Sequence, residues 1–361
     1  MARTFRIGII GYGEVAEDLV QAWRELPNTV VVAAADIDEK RRAAASAKGM
    51  VAFEDYEHML EAVNPYIVTV ATHESQHREH VVAALQHGCH VMCQKSLASN
   101  LKDADEMVEL ARVKKLKLGV YHQHAFTRAA QMAKEMIEMG DIGQLYQIVC
   151  VAKGRPAPYE LRMEGTHATH LMRYIAGEVE EMSGMVLKNG RRAEKRDAVL
   201  GKDLFPEGRE VGPGVGDFII GRYFFRSGIV GELRLKSITM EGGRGVASNR
   251  EWMTTEFLGT KGRIRFHHFP PGYVFLDRSP MRGLVDREVQ IETGRGDERN
   301  YLREFRLLQE DFLTSAWKNW KPLVSGEDGR AALEMALGIY TSHFAEKRLK
   351  FPLADRSDPF L

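Results

Sequence analysis

The sequence has few cysteines, no long apolar run and no excess of charge of either sign. Its 361 residues contain only three cysteines, a small and odd number that argues against a disulfide framework. No run of about 18 uninterrupted apolar residues occurs, and the N-terminus has no signal-peptide pattern, so we expect a soluble, cytoplasmic protein. Lys and Arg total 50, and Asp and Glu total 50. The chain as a whole therefore has no electrostatic reason to bind nucleic acid or an anionic membrane.

Length and composition indicate a globular protein of about two domains, since a domain typically has roughly 150 residues. Hydrophobic residues make up 44% of the chain and charged residues 28%, which is typical of folded proteins. Cys89 and Cys93 flank a short apolar stretch. We interpret them as strand-core residues rather than as a metal or redox pair.

The first third of the chain alternates between short apolar runs and helical stretches. Residues 30–35 are all Val and Ala, as in a strand that is buried on both faces of a parallel sheet. This alternation predicts a doubly wound parallel α/β domain over residues 1–123. The predicted strands are 5–10, 30–35, 66–71, 90–93 and 117–121, and the predicted helices are 17–26, 39–48, 78–86 and 101–113.

Beyond residue 123 the pattern changes to strand-like runs separated by turn signals. The segments 226–228 and 259–262 are rich in turn residues and lie between such runs, which predicts hairpins. We expect an α+β domain over 124–361 with a mostly antiparallel sheet, and a long surface loop over 191–216. The predicted strands are 146–152, 218–225, 229–235, 256–258 and 264–266, and the predicted helices are 129–138, 301–317 and 330–347.

A glycine pattern follows the first predicted strand and opens the first helix. In Gly11-x-Gly13-x-x-Ala16, the first glycine permits a tight turn, the second lets a pyrophosphate approach, and the small third residue lets helix and strand pack. Asp36 lies 20 residues beyond Ala16 at the end of the second strand, where a carboxylate binds the adenosine ribose. Because Ile37 rather than Arg follows Asp36, NAD is favoured over NADP.

Several polar residues lie where chemistry is expected. Lys95 follows the fourth predicted strand, at the edge where open α/β sheets bind ligands, although an isolated Lys there is more often a surface charge. His167 and His170 share one helix face, which suits a metal, a substrate contact or plain packing. His122 and His124 favour a polar pocket and leave a four-histidine metal site open, but we expect no metal.

Taken together, the chain resembles the Gfo/Idh/MocA family of pyridine-nucleotide oxidoreductases, which includes glucose-fructose oxidoreductase and inositol dehydrogenase. The segments that carry the resemblance are GIIGYG at 8–13, AALQHGCHV at 83–91, GDIG at 140–143 and LGTKG at 258–262. The resemblance implies a Rossmann domain followed by an α+β domain with a large open sheet. It also implies a homodimer or homotetramer formed through that sheet.

The resemblance assigns roles to two residues. The family's Glu-Lys-Pro motif corresponds to Gln94-Lys95-Ser96, which implies that Lys95 is catalytic although both neighbours differ. The family's Gly-x-His-x-x-Asp segment corresponds to residues 165–170, which makes His167 the implied general base and places His170 where the family has a substrate-binding Asp.

Other positions depart from the family. An assisting Asp found four residues before the catalytic His in inositol-dehydrogenase-like members is Met163 here. The family's Thr-Pro is Thr72-His73, and its Asn-Arg pattern after the last Rossmann strand is replaced by residues 122–124, His-Gln-His. These departures leave the cofactor prediction intact and leave the identity of the substrate open.

The sequence therefore predicts an NAD-dependent oxidoreductase acting on a secondary hydroxyl or ketone of a sugar, cyclitol or glycoside. One alternative is a family member that retains NAD and uses transient sugar oxidation for elimination or glycoside cleavage, and another is a non-catalytic NAD-binding regulator. The predicted catalytic residues are Lys95 and His167. The predicted substrate contacts are His122, His124, Arg155, Thr166 and His170. The predicted cofactor contacts are Gly11, Tyr12, Gly13, Glu14, Val15, Asp36, Ile37, Thr72, His73, His77, Gln94 and Lys95.

Overall fold

A computed structural model divides the chain into two compact units. It describes residues 3–153, 157–202, 210–237, 253–268, 273–277, 288–292 and 301–360. The first unit comprises Met1–Gln123 and Arg299–Ala331, and the second comprises His124–Glu298 and Ala332–Leu361. None of the helices in these described ranges is both long and apolar enough to cross a membrane.

The first unit contains a parallel six-stranded sheet in the order β3-β2-β1-β4-β5-β6. This is the doubly wound sheet predicted from the sequence, and the strand order reverses between β1 and β4, where such sheets bind ligands. The strands are β1 Phe5–Ile10, β2 Thr29–Ala35, β3 Val51–Phe53, β4 Ile67–Val70, β5 His90–Cys93 and β6 Leu118–Val120. The helices are α1 Glu14–Arg24, α2 Glu39–Ala47, α3 Tyr56–Val63, α4 His77–Gln86 and α5 Leu101–Lys114.

The first unit also includes a helix from late in the chain, α9, Leu302–Lys318. The buried amide of Gln309 donates to the Leu19 carbonyl at 3.0 Å and to the Tyr121 hydroxyl at 3.1 Å. The sequence-based division placed this helix in the second domain. Local periodicity identifies an amphipathic helix but not the surface on which it packs, which explains the difference.

The second unit contains a ten-stranded sheet in the order β17-β16-β15-β14-β7-β13-β12-β8-β18, with β9 also paired to β8. Among the pairs that the structure describes in this sheet, β7 with β13 is parallel and the rest are antiparallel, as predicted. The strands are β7 Leu145–Lys153, β8 Val179–Lys188, β9 Arg191–Arg192, β12 Phe218–Phe225, β13 Val230–Lys236, β14 Met253–Gly259, β15 Gly262–His267, β16 Tyr273–Asp277, β17 Glu288–Glu292 and β18 Leu349–Lys350. The helices are α6 Arg128–Glu138, α7 Ala157–Glu160, a π-helical turn Leu161–Gly165, and α8 Thr166–Ala176, while α10, Gly326–Ala345, is divided between the units.

The interpretation of 191–216 as one long loop is wrong. After β9, β10 (Val199–Lys202) pairs antiparallel with β11 (Glu210–Gly214). The Gly and Pro content of this region suggested a loop. Composition alone does not reveal that two segments about ten residues apart pair through their backbones.

Two of the family-like segments, 140–143 and 258–262, pack against each other. Gly143 has φ +71°, and a Cβ there would lie 2.4 Å from the Thr260 hydroxyl. A Cβ on Gly259 would lie 2.2 Å from the Ile142 carbonyl oxygen. The Thr260 hydroxyl also accepts a hydrogen bond from the Gln144 backbone N–H at 3.0 Å. These glycines are therefore required by close packing beside β7 rather than by a ligand.

Candidate active site

The glycine turn of the first unit leaves the start of α1 open. Gly11 has φ +85°, and a Cβ there would lie 2.6 Å from Thr72 Cγ2, so only glycine fits without strain. Gly13 precedes α1 with no side-chain hydrogen bond at the cap, and a Cβ at Gly13 would meet nothing within 4 Å. Ala16 is fully buried. The free backbone N–H groups and the open space suit the approach of a pyrophosphate.

Asp36 at the end of β2 is fixed beside this turn. Its carboxylate accepts hydrogen bonds from the backbone N–H groups of Tyr12 at 2.7 Å and Asp38 at 2.8 Å. A carboxylate has about four acceptor positions, so it retains capacity for ribose hydroxyls. Ile37 is 80% exposed. Arg41 Nη1 lies 3.9 Å from Asp36 Oδ2. The sequence-based choice of NAD considered only Ile37 and did not take this cation into account.

His77 joins the turn after β4 to the segment after β5. Its Nδ1 lies 2.8 Å from the Ser96 carbonyl oxygen and its Nε2 lies 3.0 Å from the Thr72 carbonyl oxygen. Burial lowers the pKa of His77 to about 4, and a neutral imidazole donates to only one of these oxygens at a time. With both nitrogens occupied and the ring fully buried, His77 holds these two segments together, while its predicted cofactor contact stays a prediction.

Other predicted cofactor residues lie nearby in the chain. His73 caps the short 3₁₀ turn that precedes α4, its Nδ1 3.0 Å from the Ser75 hydroxyl. Lys95 is half-buried in the segment that follows β5. The Gln94 Nε2 atom is buried and has no hydrogen-bond partner within the part of the chain that the structure describes. A buried donor without an acceptor is expected where a ligand supplies the missing polar group, so Gln94, Asp36 and the open glycine turn fit a dinucleotide.

The second unit brings together three buried residues from two segments of the chain. His124 lies in the 3₁₀ turn before α6, Glu164 in the π-helical turn, and His167 in the first turn of α8. The imidazole rings of His124 and His167 are stacked, with centroids 3.8 Å apart and planes inclined by 12°. His124 Nδ1 lies 3.6 Å from Glu164 Oε2. We call these three residues the histidine–glutamate cluster.

The local structure explains how His167 is held. The Thr166 hydroxyl lies 3.1 Å from the Arg162 carbonyl and 3.2 Å from the Met163 carbonyl, which ties the π-helical turn to α8. The Thr169 hydroxyl donates to the Ala332 carbonyl at 2.8 Å and fixes the next part of α8. Thr166 therefore has a helix-stabilising hydrogen bond, while its predicted substrate contact stays a prediction.

A third imidazole at this site, that of His268, was not among the predicted site residues. Its ring lies 5.2 Å from that of His124, and its Nε2 lies 2.8 Å from the Thr255 hydroxyl. Burial holds the pKa of His268 well below its usual value, and the charge of His124 lowers it further. The sequence feature that could have indicated His268 is its position just after the predicted strand 264–266, next to His267.

The histidine–glutamate cluster also has the donor atoms of a metal site, which lie within 4.8 Å of one another. A metal lies in the plane of each imidazole that binds it, roughly 2.1 Å from the nitrogen. The stacked, nearly parallel rings of His124 and His167 share no such point. This arrangement favours proton sharing over joint coordination, and the expectation of no metal stays a prediction.

The remaining predicted substrate contacts are placed as follows. His170 is buried, and its ring lies nearly parallel to that of Tyr174, with centroids 6.3 Å apart. His122 is buried in the first unit, whereas His124 belongs to the second. Arg155 lies outside the described residues.

Comparisons with known proteins agree with the fold and the cofactor. Residues 5–122 match the model of an oxidoreductase family with an NAD-binding Rossmann fold, GFO_IDH_MocA. Myo-inositol 2-dehydrogenase of Thermotoga maritima is 28% identical over 95% of this chain and 97% of its own length. D-glucoside 3-dehydrogenase of Escherichia coli is 31% identical over 39% of this chain and 41% of that protein.

A solved structure of levoglucosan dehydrogenase in complex with NADH and levoglucosan shares the fold, with a TM-score of 0.78 and 19% identity over 97% of this chain and 100% of that one. The resemblance predicted from the sequence and the choice of NAD are confirmed. Over residues 5–122 the chain matches the Gfo/Idh/MocA family of NAD-binding oxidoreductases, and along nearly its whole length it is similar to a dehydrogenase that acts on myo-inositol.

Proposed function

We propose that the protein is an NAD-dependent dehydrogenase or reductase that transfers a hydride between nicotinamide and a secondary hydroxyl or ketone of a sugar, cyclitol or glycoside. The observation that supports it best is the buried His167, held against His124 in a chain whose first unit matches an NAD-binding oxidoreductase family. The names of relatives that act on myo-inositol and on D-glucosides favour this substrate class.

In the oxidising direction, His167 takes the hydroxyl proton of the substrate. An unprotonated imidazole suits this role because its ordinary pKa lies near physiological pH. NAD held by the glycine turn, Asp36 and Gln94 would supply a hydride acceptor for the carbon that bears the hydroxyl group. The substrate thereby loses one proton and one hydride and becomes a ketone, and the same groups run the reverse reaction.

Lys95 is proposed as the second catalytic residue, by its correspondence with the family's Lys. Its ammonium group would stabilise negative charge that develops on the substrate oxygen. The neighbouring backbone is held by His77, which contacts the Ser96 carbonyl oxygen. His77 is therefore proposed as a positioning residue for this segment.

The first unit would hold the cofactor with groups that the fold leaves available. The N-terminus of α1 would bind the pyrophosphate, Asp36 would accept hydrogen bonds from the ribose hydroxyls, and the Gln94 amide would donate to a polar group of the cofactor. Val15 and Ile37, which are 41% and 80% exposed, offer apolar surface beside the glycine turn and the end of β2.

The test is to mix the purified protein with NAD and a panel containing myo-inositol, methyl glucosides and levoglucosan, and to follow NADH absorbance. We expect turnover with at least one of them, and turnover at least about 100-fold slower with His167→Gln. NAD that stays bound through purification, with no net NADH, would instead indicate the redox-neutral alternative. Binding of NAD without turnover or substrate conversion would indicate a regulator.

A further inference from the structure

We propose that Glu164, acting through His124, keeps His167 unprotonated and ready to act as the base. This inference rests on the proposed function, in which His167 takes the substrate proton. Glu164 and His124 are positioning residues in this proposal, since neither needs to touch the substrate. Together they would replace the assisting carboxylate that is absent at Met163.

The geometry strongly disfavours a proton on both of the stacked rings at once. Their centroids are 3.8 Å apart, and both side chains are about 98% buried or more. Two imidazolium rings in such contact would repel each other strongly in a weakly solvated site. A single shared proton avoids this repulsion, so the pair titrates as a coupled unit.

The carboxylate selects which ring holds that proton. Glu164 Oε2 lies 3.6 Å from His124 Nδ1, close enough for an ion pair when His124 is protonated. Glu164 is itself buried, and a buried carboxylate requires a nearby positive charge. In the resting enzyme the proton therefore resides on His124, and the positive charge stacked against His167 disfavours a second proton there. When His167 takes the substrate proton, His124 passes its own proton to Glu164, so the two rings again hold one proton between them.

The other titratable groups around the cluster leave this assignment in place. His268 on the β15 side of the site is neutral, because burial holds its pKa well below the usual value. The Arg162 guanidinium lies next to Gly212, where an added Cβ would be 3.0 Å from Nη2. His170 on α8 stacks against Tyr174. Among these groups, Glu164 provides the negative charge that compensates the proton.

The activity test uses the pH dependence of kcat/KM for the oxidised substrate. Glu164→Gln removes the charge that holds the proton on His124, so His167 accepts a proton more readily. We expect the acid limb of the profile to move up by about one pH unit. Glu164→Asp should restore most of the wild-type profile, and Glu138→Gln, at an exposed glutamate of α6, should leave it unchanged. A lower kcat with an unmoved acid limb in Glu164→Gln would mean a structural role and would overturn the proposal.

A second test needs neither substrate nor turnover. NMR of protein labelled at histidine Cε1, assigned with His124→Gln and His167→Gln, follows the protonation of each ring. We expect Glu164→Gln to lower the titration midpoint of His124 and to raise that of His167. Unchanged midpoints would overturn the cluster proposal even if the enzyme oxidises sugars. A lower midpoint for His124 together with a higher one for His167 would support it even if no sugar is oxidised.

Two further outcomes keep the test decisive. If Glu164→Gln does not fold, His124→Gln serves in its place, since it also removes the charge stacked on His167 and should move the acid limb upward. A stoichiometric divalent metal that remains with the purified protein and is lost in His124→Gln would overturn the proposal, because coordinated imidazoles do not take up the shared proton.

Discussion

The imidazoles of His124 and His167 lie face to face, 3.8 Å apart, although 42 residues separate them in the sequence. His124 lies in the 3₁₀ turn before α6, and His167 lies in the first turn of α8. Through this stack the proposed base is connected to Glu164, whose carboxylate lies 3.6 Å from His124 Nδ1. The position where related enzymes have the assisting carboxylate is Met163. A family position that lost its carboxylate is thus next to a residue that carries one.

The first prediction concerns His167. Replacing it by Gln removes the proton acceptor, so kcat should fall by roughly 10²- to 10⁴-fold, the usual contribution of a general base. Calorimetric titration with NAD should show little change in affinity, because the variant leaves intact the glycine turn, Asp36 and Gln94, which are proposed to hold the cofactor. His58→Gln, at an exposed residue of α3, is the control. Near wild-type turnover in His167→Gln would assign the base to another residue.

The second prediction concerns Lys95. Lys95→Met keeps the length and apolar part of the side chain but removes the ammonium group. Turnover should fall about 100-fold or more, because charge on the substrate oxygen is no longer stabilised in the transition state. The Kd for NAD, measured by fluorescence titration, should change little. The matched control is Lys102→Met on α5, and equal activity in both variants would contradict the role of Lys95.

The third prediction concerns the choice of cofactor. Asp36→Ala should weaken NAD binding by about 1 to 3 kcal/mol, the scale of a lost hydrogen bond to a charged group. The same change should reduce the preference for NAD over NADP. Arg41 Nη1 lies 3.9 Å from the Asp36 carboxylate, and without that carboxylate it can pair with the 2′-phosphate of NADP. Asp36→Ala combined with Arg41→Ala should lose this gain in NADP binding. A wild-type preference for NADP would contradict both statements.

Local sequence patterns were enough to predict much of the first unit. The apolar runs at 5–10 and 90–93 coincide with β1 and β5, because strands buried on both faces are continuously apolar. The short β3 and the helix α3 were not predicted, since β3 has only three residues and its side chains are partly exposed. A strand of that length gives no recognisable pattern.

The candidate site was harder to predict because it depends on contacts between distant segments. The sequence identified His124 and His167 separately, but their stacking depends on how the turn before α6 meets the π-helical turn. Glu164 gave no signal beyond its position beside Met163, and His268 gave only its place at a strand end. The contacts of His77 with Thr72 and Ser96 were not predictable for a similar reason, since they join two separate loops.

The fourth prediction tests the packing of the family-like glycines. A Cβ on Gly259 would lie 2.2 Å from the Ile142 carbonyl oxygen, and the backbone there cannot move without breaking the bond from Lys261 N–H to Ile142. Gly259→Ala should therefore lower the free energy of unfolding by about 3 kcal/mol, at the upper end of overpacking costs. Gly228→Ala adds a Cβ in open space at φ +83° and should cost only about 1 to 2 kcal/mol. Equal urea midpoints for the two variants would contradict this explanation.

The last prediction concerns acid stability and follows from His90 on β5. Its Nδ1 accepts a hydrogen bond from the Lys117 backbone N–H at 3.0 Å, which requires an unprotonated nitrogen. Burial, together with a smaller contribution from the nearby Lys117, lowers the pKa of His90 from an ordinary value of 6.5 to about 4. Between these two values the unfolded chain binds a proton that the folded chain does not, so stability is complete above pH 6.5 and is lost as the pH falls toward 4.

Urea unfolding at pH 7.5 and pH 5 should therefore show the wild type losing stability in acid, with His90 contributing about 1 to 2 kcal/mol of the loss. His90→Asn retains an acceptor for the Lys117 N–H but does not titrate in this range, so its stability should fall less between the two pH values. Cys93→Ser, a substitution on the same buried strand, should lower stability by the same amount at both pH values. A pH dependence in His90→Asn equal to that of the wild type would show that His90 is protonated in the folded protein.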